Sequence, residues 1–91
     1  MIKNLDFLSP RFLQYFSTVV ETGSILAASE EINVSQPSIT RVIQIIEKNL
    51  KTKLFVRNKK GVKLTEDGQE FYLNVKTILS HNEKVIANIQ S

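Results

Sequence analysis

The sequence predicts a small, mainly α-helical domain that carries one two-stranded β-hairpin and ends in a long helix. Apolar residues recur at three- and four-residue spacing in four stretches, which short turn signals separate. Between the third and fourth stretches, two β-prone runs flank a loop that contains a glycine, a pattern typical of a hairpin.

Length and composition fit one domain. The chain has 91 residues, 42% hydrophobic and 23% charged, which are ordinary values for a globular protein. It has no cysteine and a single histidine, which excludes disulfides, thiol nucleophiles and most structural zinc sites. Lys3, Asn4 and Asp6 interrupt the first eight residues, unlike a signal peptide, and no apolar run could span a membrane. We therefore expect a cytoplasmic protein.

The first helix is predicted at about 10–21. Ser9 can cap it, and Pro10 suits its first position, where no amide hydrogen is needed. Gly23 is placed to end it by taking a positive φ. Its inward face would consist of Phe12, Leu13, Phe16, Val19 and Val20.

A second, shorter helix is predicted to begin after Ser24, which can cap it, and to end at Ile32. Asn33 then interrupts the pattern, and asparagine adopts the left-handed region at low cost, so a tight turn is expected. The inward residues would be Ile25, Ala28, Ser29 and Ile32.

The third helix is predicted at about 36–50, with Ser35 as its cap and Pro37 tolerated in its first turn. Its two faces differ in chemistry. The outer face carries hydrogen-bonding groups and little bulk: Pro37, Thr40, Arg41 and Gln44. The inner face is apolar: Ile39, Val42, Ile43, Ile46 and Leu50.

A hairpin is predicted over 54–64, with strands at 54–57 and 62–64. They would be joined by a four-residue loop in which Gly61 takes a left-handed corner. Thr65 would then cap a last helix, with Glu66 and Asp67 in its acidic first turn, that reaches almost to Ser91.

Positive charge is concentrated between residues 41 and 63. This segment holds eight of the twelve basic residues and the single acid Glu47, a local net charge of +7. On charge alone, a solvated surface and a surface that binds a polyanion are equally good interpretations. The helix, turn and helix at 24–50, followed by a basic hairpin, favour DNA, because such a helix can enter a major groove while the hairpin reaches neighbouring phosphates.

The order of motifs along the chain resembles the head of LysR-type transcription regulators. The resemblance extends without a gap over about sixty residues, a length that makes it far more specific than any single motif. The matching segments are FLQYF at 12–16, ETGS at 21–24, ASEEI at 28–32, VSQPSITR at 34–41, IE at 46–47, LF at 54–55 with Arg57, and GVKLTEDG at 61–68.

The resemblance implies a winged helix-turn-helix that binds a partly palindromic operator as a homodimer, with the helix at about 36–50 in the major groove and the wing at 54–64 in the minor groove. It implies that Gln36 and Thr40 contact base edges and that Pro37 contacts thymine methyl groups. Ser35 and Arg41 would bind phosphates, and Lys60 would enter the minor groove. The complete predicted DNA-binding set is Ser35, Gln36, Pro37, Ser38, Thr40, Arg41, Arg57, Lys59, Lys60 and Lys63.

Several positions depart from the family pattern. Ile25 and Leu26 replace a common Phe-Thr pair, and Ala27 stands where a cation is frequent, so a phosphate contact from the second helix is expected to be missing. Gln44 and Ile45 occupy a place often rich in arginine, and Lys51 replaces the usual helix-ending glycine. Lys60 replaces a wing-tip arginine, and because lysine is more strongly hydrated, weaker readout of groove shape is expected.

The last helix carries a pattern typical of a two-stranded helical contact, since its apolar positions advance by four and three residues in turn. Packing within the domain is the alternative for Phe71 and Val75, but the helix is too long for the domain to cover its far end. Asn82 would either fix the register or face solvent. We predict homodimerisation through Phe71, Val75, Ile78, Asn82, Val85 and Ile89.

We thus expect a winged helix-turn-helix domain at 1–65 and a linker or dimerisation helix at 66–91, without the effector-binding domain of the family or its small-molecule effector. No catalytic, metal or cofactor site is expected, because the sequence shows neither a nucleophile with its acid and base nor a phosphate-binding glycine loop. Two other functions stay open: a helical protein-interaction module and an RNA-binding winged domain. The narrow outer face of the third helix suits B-form DNA better than A-form RNA.

Overall fold

The computed structural model describes residues 6–90, which fold as a helical head with a small hairpin and a projecting last helix. The elements are a short 3-10 helix (Asp6–Leu8), α1 (Pro10–Thr22), α2 (Ile25–Ile32), α3 (Gln36–Leu50), β1 (Phe55–Asn58), β2 (Gly61–Leu64) and α4 (Glu66–Gln90). The predicted mainly α winged helix-turn-helix fold is confirmed. Residues 1–5 and 91, which the predicted ranges 1–65 and 66–91 include, lie outside the described residues.

The helix ends confirm the predicted caps. Ser9 Oγ accepts a hydrogen bond from the Phe12 amide at 3.3 Å, and Ser24 Oγ accepts one from the Ala27 amide at 2.9 Å. Gly23 ends α1 with φ 75°, and Asn33 ends α2 with φ 58°. These caps give hydrogen-bond partners to backbone amides that the ends of a helix would otherwise leave free.

The core lies between α1 and α3. Leu13, Phe16 and Val19 of α1 are fully buried, as are Ile39 and Ile46 of α3, and these were predicted to face inward. Five residues predicted to face inward are only half-buried: Phe12 and Val20 of α1, Ile25 and Ile32 of α2, and Leu50 of α3. The sequence reasoning also missed Phe7, which is 3% exposed and anchors the 3-10 helix against the core.

The first half of α4 packs into the head. Val75 is fully buried, and the Phe71 ring meets the Phe16 ring edge-on with 4.9 Å between centroids. Tyr72 donates a hydrogen bond from its hydroxyl to Glu21 Oε2 at 3.3 Å. Burial, together with the charge of Glu21, raises the pKa of Tyr72. The boundary predicted between residues 65 and 66 thus falls where α4 begins, but residues of α4 beyond this boundary still belong to the core of the head.

The wing closes more tightly than predicted. The strands pair antiparallel from Phe55 opposite Leu64 to Asn58 opposite Gly61, so the loop is two residues long instead of four. The reason is local: Asn58 Oδ1 accepts a hydrogen bond from the Lys60 amide at 2.8 Å, which builds the turn from a side chain. Gly61 has φ 140° and begins β2, so it is not the left-handed corner residue that we predicted.

Within residues 6–90, no helix is both long enough and apolar enough to cross a membrane.

Candidate nucleic-acid interface

The amino-terminal end of α3 is exposed and polar. Ser35 Oγ accepts a hydrogen bond from the Ser38 amide at 3.2 Å, which caps the helix. It also lies 2.7 Å from Ser38 Oγ, so the two hydroxyl groups form a hydrogen bond with each other. Gln36 and Pro37 occupy the first turn in contact with solvent. The first turn of α3 is thus capped from within the chain, and its side chains face solvent.

Arg41 lies on the same outer side of α3 and is exposed, whereas Thr40 is half-buried. Neither side chain, nor that of Gln36, forms a hydrogen bond or ion pair with another of the residues from 6 to 90. These groups are therefore available to an external partner.

The wing carries cations that the described acids do not neutralise. Arg57, Lys59, Lys60 and Lys63 are exposed, and none of them pairs with an acidic side chain among the described residues. Lys59 and Lys60 form the turn at the tip. The strand register places Arg57 opposite Val62 and Lys63 opposite Val56, so Arg57 and Lys63 project from opposite faces of the hairpin.

An open groove of about 480 Å³ separates α3 from the wing. Thr40 and Gln44 line it on the α3 side, and Arg57 and Val62 line it on the wing side. The groove places Thr40 and Arg57 on one continuous surface. Gln36, Arg41 and Lys63 are exposed but do not line this groove.

Glu47 fixes the base of the wing, a role that sequence reasoning missed. Its Oε2 accepts hydrogen bonds from the amides of Leu54 at 2.8 Å and Phe55 at 3.4 Å, and its Oε1 lies 3.6 Å from Lys53 Nζ. Its side chain is 10% exposed. The available signal was the isolation of this acid within a strongly basic segment directly after an inward-facing isoleucine.

The predicted dimerisation residues divide into two groups. Val75 and, in large part, Phe71 pack within the head, which is the alternative that the sequence left open for them. Ile78, Val85 and Ile89 are 41%, 43% and 79% exposed, and Asn82 between them is half-buried. Ile86, which the strict four-three pattern omitted, is 55% exposed beside them and widens the apolar face.

The surface as a whole suits a large anionic partner better than a small ligand. It combines hydrogen-bonding side chains on one helix with cations on a neighbouring hairpin, and both elements stand on a rigid core. Over the described part of the chain, no cluster of three or more histidine, cysteine or acidic side chains could hold a metal ion.

Sequence comparison identifies the family. The family model described as "Bacterial regulatory helix-turn-helix protein, lysR family" matches residues 10–69. The chain belongs to this LysR family. The match covers every position of the predicted DNA-binding set, whereas the predicted dimerisation residues lie beyond its end. The individual roles of these LysR-head residues stay predictions.

A curated relative of this LysR-type head is the HTH-type transcriptional regulator CzcR of Bacillus thuringiensis (strain Al Hakam). It is 38% identical over 78 residues, which cover 86% of this chain and 26% of CzcR. The chain spans about a quarter of the length of the curated regulators that it matches first.

Two solved structures that contain DNA share the fold of this LysR-type head. The BenM DBD complex with catB site 1 DNA has a TM-score of 0.86 and 32% identity over 90% of this chain and 92% of that one. The CbnR DBD complex with DNA has a TM-score of 0.84 and 34% identity over 90% of this chain and 94% of that one. The α3 and wing arrangement therefore belongs to a fold that has been crystallised with DNA.

Proposed function

We propose that this chain is the DNA-binding head of a LysR-type transcription regulator and that it recognises a specific sequence in double-stranded DNA. The observation that carries the proposal is the single surface formed by the polar outer side of α3 and the cationic wing, with Thr40 and Arg57 facing one groove. The relatives named above support it, because one is a transcriptional regulator and two are domains solved in complex with DNA. No catalysis is part of this function, and a bacterial regulator of this family would meet its DNA in the cytoplasm.

In this proposal α3 enters the major groove. The amide of Gln36 can donate to and accept from adenine at once, which gives it a base-reading role. The guanidinium of Arg41, about one turn further along, is suited to a charge-assisted contact with a phosphate. Lys60, at the exposed tip of the wing, would enter the neighbouring minor groove.

We also propose that two copies act together through α4. The exposed residues Ile78, Val85 and Ile89 supply an apolar face that the head does not cover. Two identical heads related by a two-fold axis require a partly palindromic operator. A small-molecule effector would act through the part of a LysR-type regulator that this chain does not span.

Selection of duplexes from a random library at moderate salt tests the function. We expect an inverted repeat to be enriched, and the selected duplex to bind far better than a scrambled one, with an affinity that falls as salt rises. Absence of binding even at low salt would contradict the proposal and favour a protein-interaction module. Preference for duplex RNA over DNA would favour the RNA-binding alternative.

A further inference from the structure

The wing is joined to the turn between α1 and α2 by a main-chain contact that lies far from its base. The amide of Val62 donates a hydrogen bond to the carbonyl oxygen of Gly23 at 3.0 Å. Val62 pairs with Arg57 in the hairpin register, but this amide points away from the partner strand toward the turn. The outer edge of β2 thus finds its hydrogen-bond acceptor in the helical part of the head.

The contact requires a glycine at position 61. A Cβ atom at Gly61 would overlap the carbonyl oxygen of Gly23, well inside van der Waals distance, and the φ of 140° is one that side-chain-bearing residues rarely adopt. At Gly23 the situation differs, because a Cβ atom there would have no neighbour within 4 Å. Gly23 turns the chain with φ 75°, whereas Gly61 allows the two segments to touch.

This junction lies between the wing tip and the beginning of α2. Lys59 and Lys60 immediately precede Gly61 at the wing tip, and Ser24, which caps α2, immediately follows Gly23. The base of the wing is held separately by Glu47, through the amides of Leu54 and Phe55. A hairpin of two four-residue strands has little stability of its own, so a second attachment near the tip decides where the tip lies.

We infer that the contact between Gly23 and the Gly61–Val62 segment is a positioning device that sets the wing-tip lysines relative to α3, so that both reach the same duplex. The inference rests on the proposed function. Gly61 thereby affects DNA binding without contacting DNA. The carbonyl oxygen of Gly23 is the acceptor that holds the wing in place.

The test compares Gly61→Ala with Gly23→Asn. Both replace a positive-φ glycine, but only the first places a Cβ atom in the junction, and asparagine tolerates the left-handed region. We expect Gly61→Ala to lower affinity for the selected duplex about tenfold and to flatten the slope of log affinity against log salt by about two, because two wing-tip cations would no longer reach the DNA and release its counterions. Gly23→Asn keeps the main-chain carbonyl that accepts the Val62 amide and adds its Cβ atom in open space, so it should bind like the parent.

A double-mutant cycle separates positioning from general damage. The variant Lys59→Ala/Lys60→Ala removes the wing-tip charges, and adding Gly61→Ala to it should cause no further loss of affinity. Circular dichroism checks that every variant is folded. If Gly61→Ala does not fold, an amide-to-ester replacement at Val62, which removes the donor without adding an atom at position 61, should give the same change in salt slope.

The outcomes are distinct. A folded Gly61→Ala or Val62 ester protein with the parent's affinity and salt slope would overturn the inference and leave the proposed function standing. Losses from Gly61→Ala and Lys59→Ala/Lys60→Ala that multiply in the combined variant would also overturn it, because the junction would then act elsewhere than on the wing tip. A parent that binds no duplex DNA would overturn the proposed function and this inference with it.

Discussion

Gln36 and Arg41 illustrate how two exposed side chains on one helix can perform different tasks. Gln36→Ala should cost about 1–3 kcal/mol of binding free energy on the selected duplex and little on a scrambled one, since an amide reads a base edge. Arg41→Ala should weaken binding to both duplexes and flatten the salt slope by about one, since a phosphate contact is independent of sequence. Titration of each variant against both duplexes at several salt concentrations measures these effects.

The control for this pair is Glu30→Ala, an exposed change on α2 away from the surface that α3 and the wing share. It should leave the ratio of specific to non-specific affinity unchanged. Equal losses on both duplexes for Gln36→Ala would show that Gln36 does not read a base.

Lys51 ends α3 in a conformation that suits glycine better. Its φ of 58° and ψ of 37° lie in the left-handed region, where a Cβ atom crowds the following carbonyl. Lys51→Gly should therefore raise the free energy of unfolding by about 0.5–1 kcal/mol, the strain relief being partly offset by the greater freedom of glycine in the unfolded chain. Chemical denaturation measures the change.

Lys48→Gly is the matched comparison, because the same substitution then falls inside the last turn of α3. It should lower the free energy of unfolding by about 1 kcal/mol, as glycine does in helices. If both variants are destabilised to the same extent, the left-handed position of Lys51 carries no strain.

At the scale of elements, Glu47 connects α3 to the wing. Glu47→Ala removes the acceptor of the Leu54 and Phe55 amides, and because Leu54 is fully buried, its amide has little access to water as a substitute. We expect a loss of about 2 kcal/mol in the free energy of unfolding, together with faster hydrogen exchange at the Leu54 amide. Denaturation and amide exchange measured on the same sample test both effects. Unchanged exchange at Leu54 would contradict the role given to Glu47.

The elements themselves could be predicted because their signals are local. Serine caps, a helix-ending glycine and three- or four-residue apolar spacing located all four helices of the described chain within about two residues. The wing turn was predicted too long, because Gly61 was expected to form its corner, whereas the hydrogen bond from the Lys60 amide to Asn58 Oδ1 favours the shorter loop.

The contacts that orient the site could not be predicted in the same way. Glu47 reaches Leu54 across the end of α3, and Val62 reaches Gly23 across 39 positions of sequence. No periodicity encodes such pairs, since they form only when the core brings distant segments together. The burial of Phe7 has the same origin, because a single apolar residue in a short segment has no pattern. The sequence could therefore indicate which polar and basic residues form the surface, but it could not indicate how they lie relative to one another.

At the scale of the whole molecule, α4 decides the shape. It is 25 residues long, and at about 1.5 Å per residue it extends roughly 37 Å, while the molecule measures 45 × 34 × 22 Å. One face of its first half packs on the head, as the burial of Val75 shows, and its second half exposes Val85, Ile86 and Ile89. An apolar helix face of this kind is stabilised when a second copy covers it.

If two copies associate through α4 as proposed, Val85→Asp should separate them. A carboxylate at the middle of the exposed face would have to be desolvated in a dimer, so sedimentation equilibrium should show a monomer at micromolar concentrations where the parent shows a mass that rises with concentration. Leu73→Asp is the matched control, since Leu73 is 65% exposed on α4 but its position is more than 100° around the helix from Val85. It should leave the association unchanged.

The same pair of variants connects assembly with DNA binding. If two heads bind two half-sites, Val85→Asp should lower affinity for an inverted repeat about a hundredfold, because the second contact is no longer intramolecular, and should leave affinity for a single half-site almost unchanged. A parent that sediments as a monomer at every concentration would contradict dimerisation through α4, and recognition of DNA by one head would then be the simplest form of the proposed function. Loss of half-site binding in Val85→Asp would instead show that the substitution damages the head. Leu73→Asp is the control for this outcome, because it adds the same charge to α4 and should retain half-site binding.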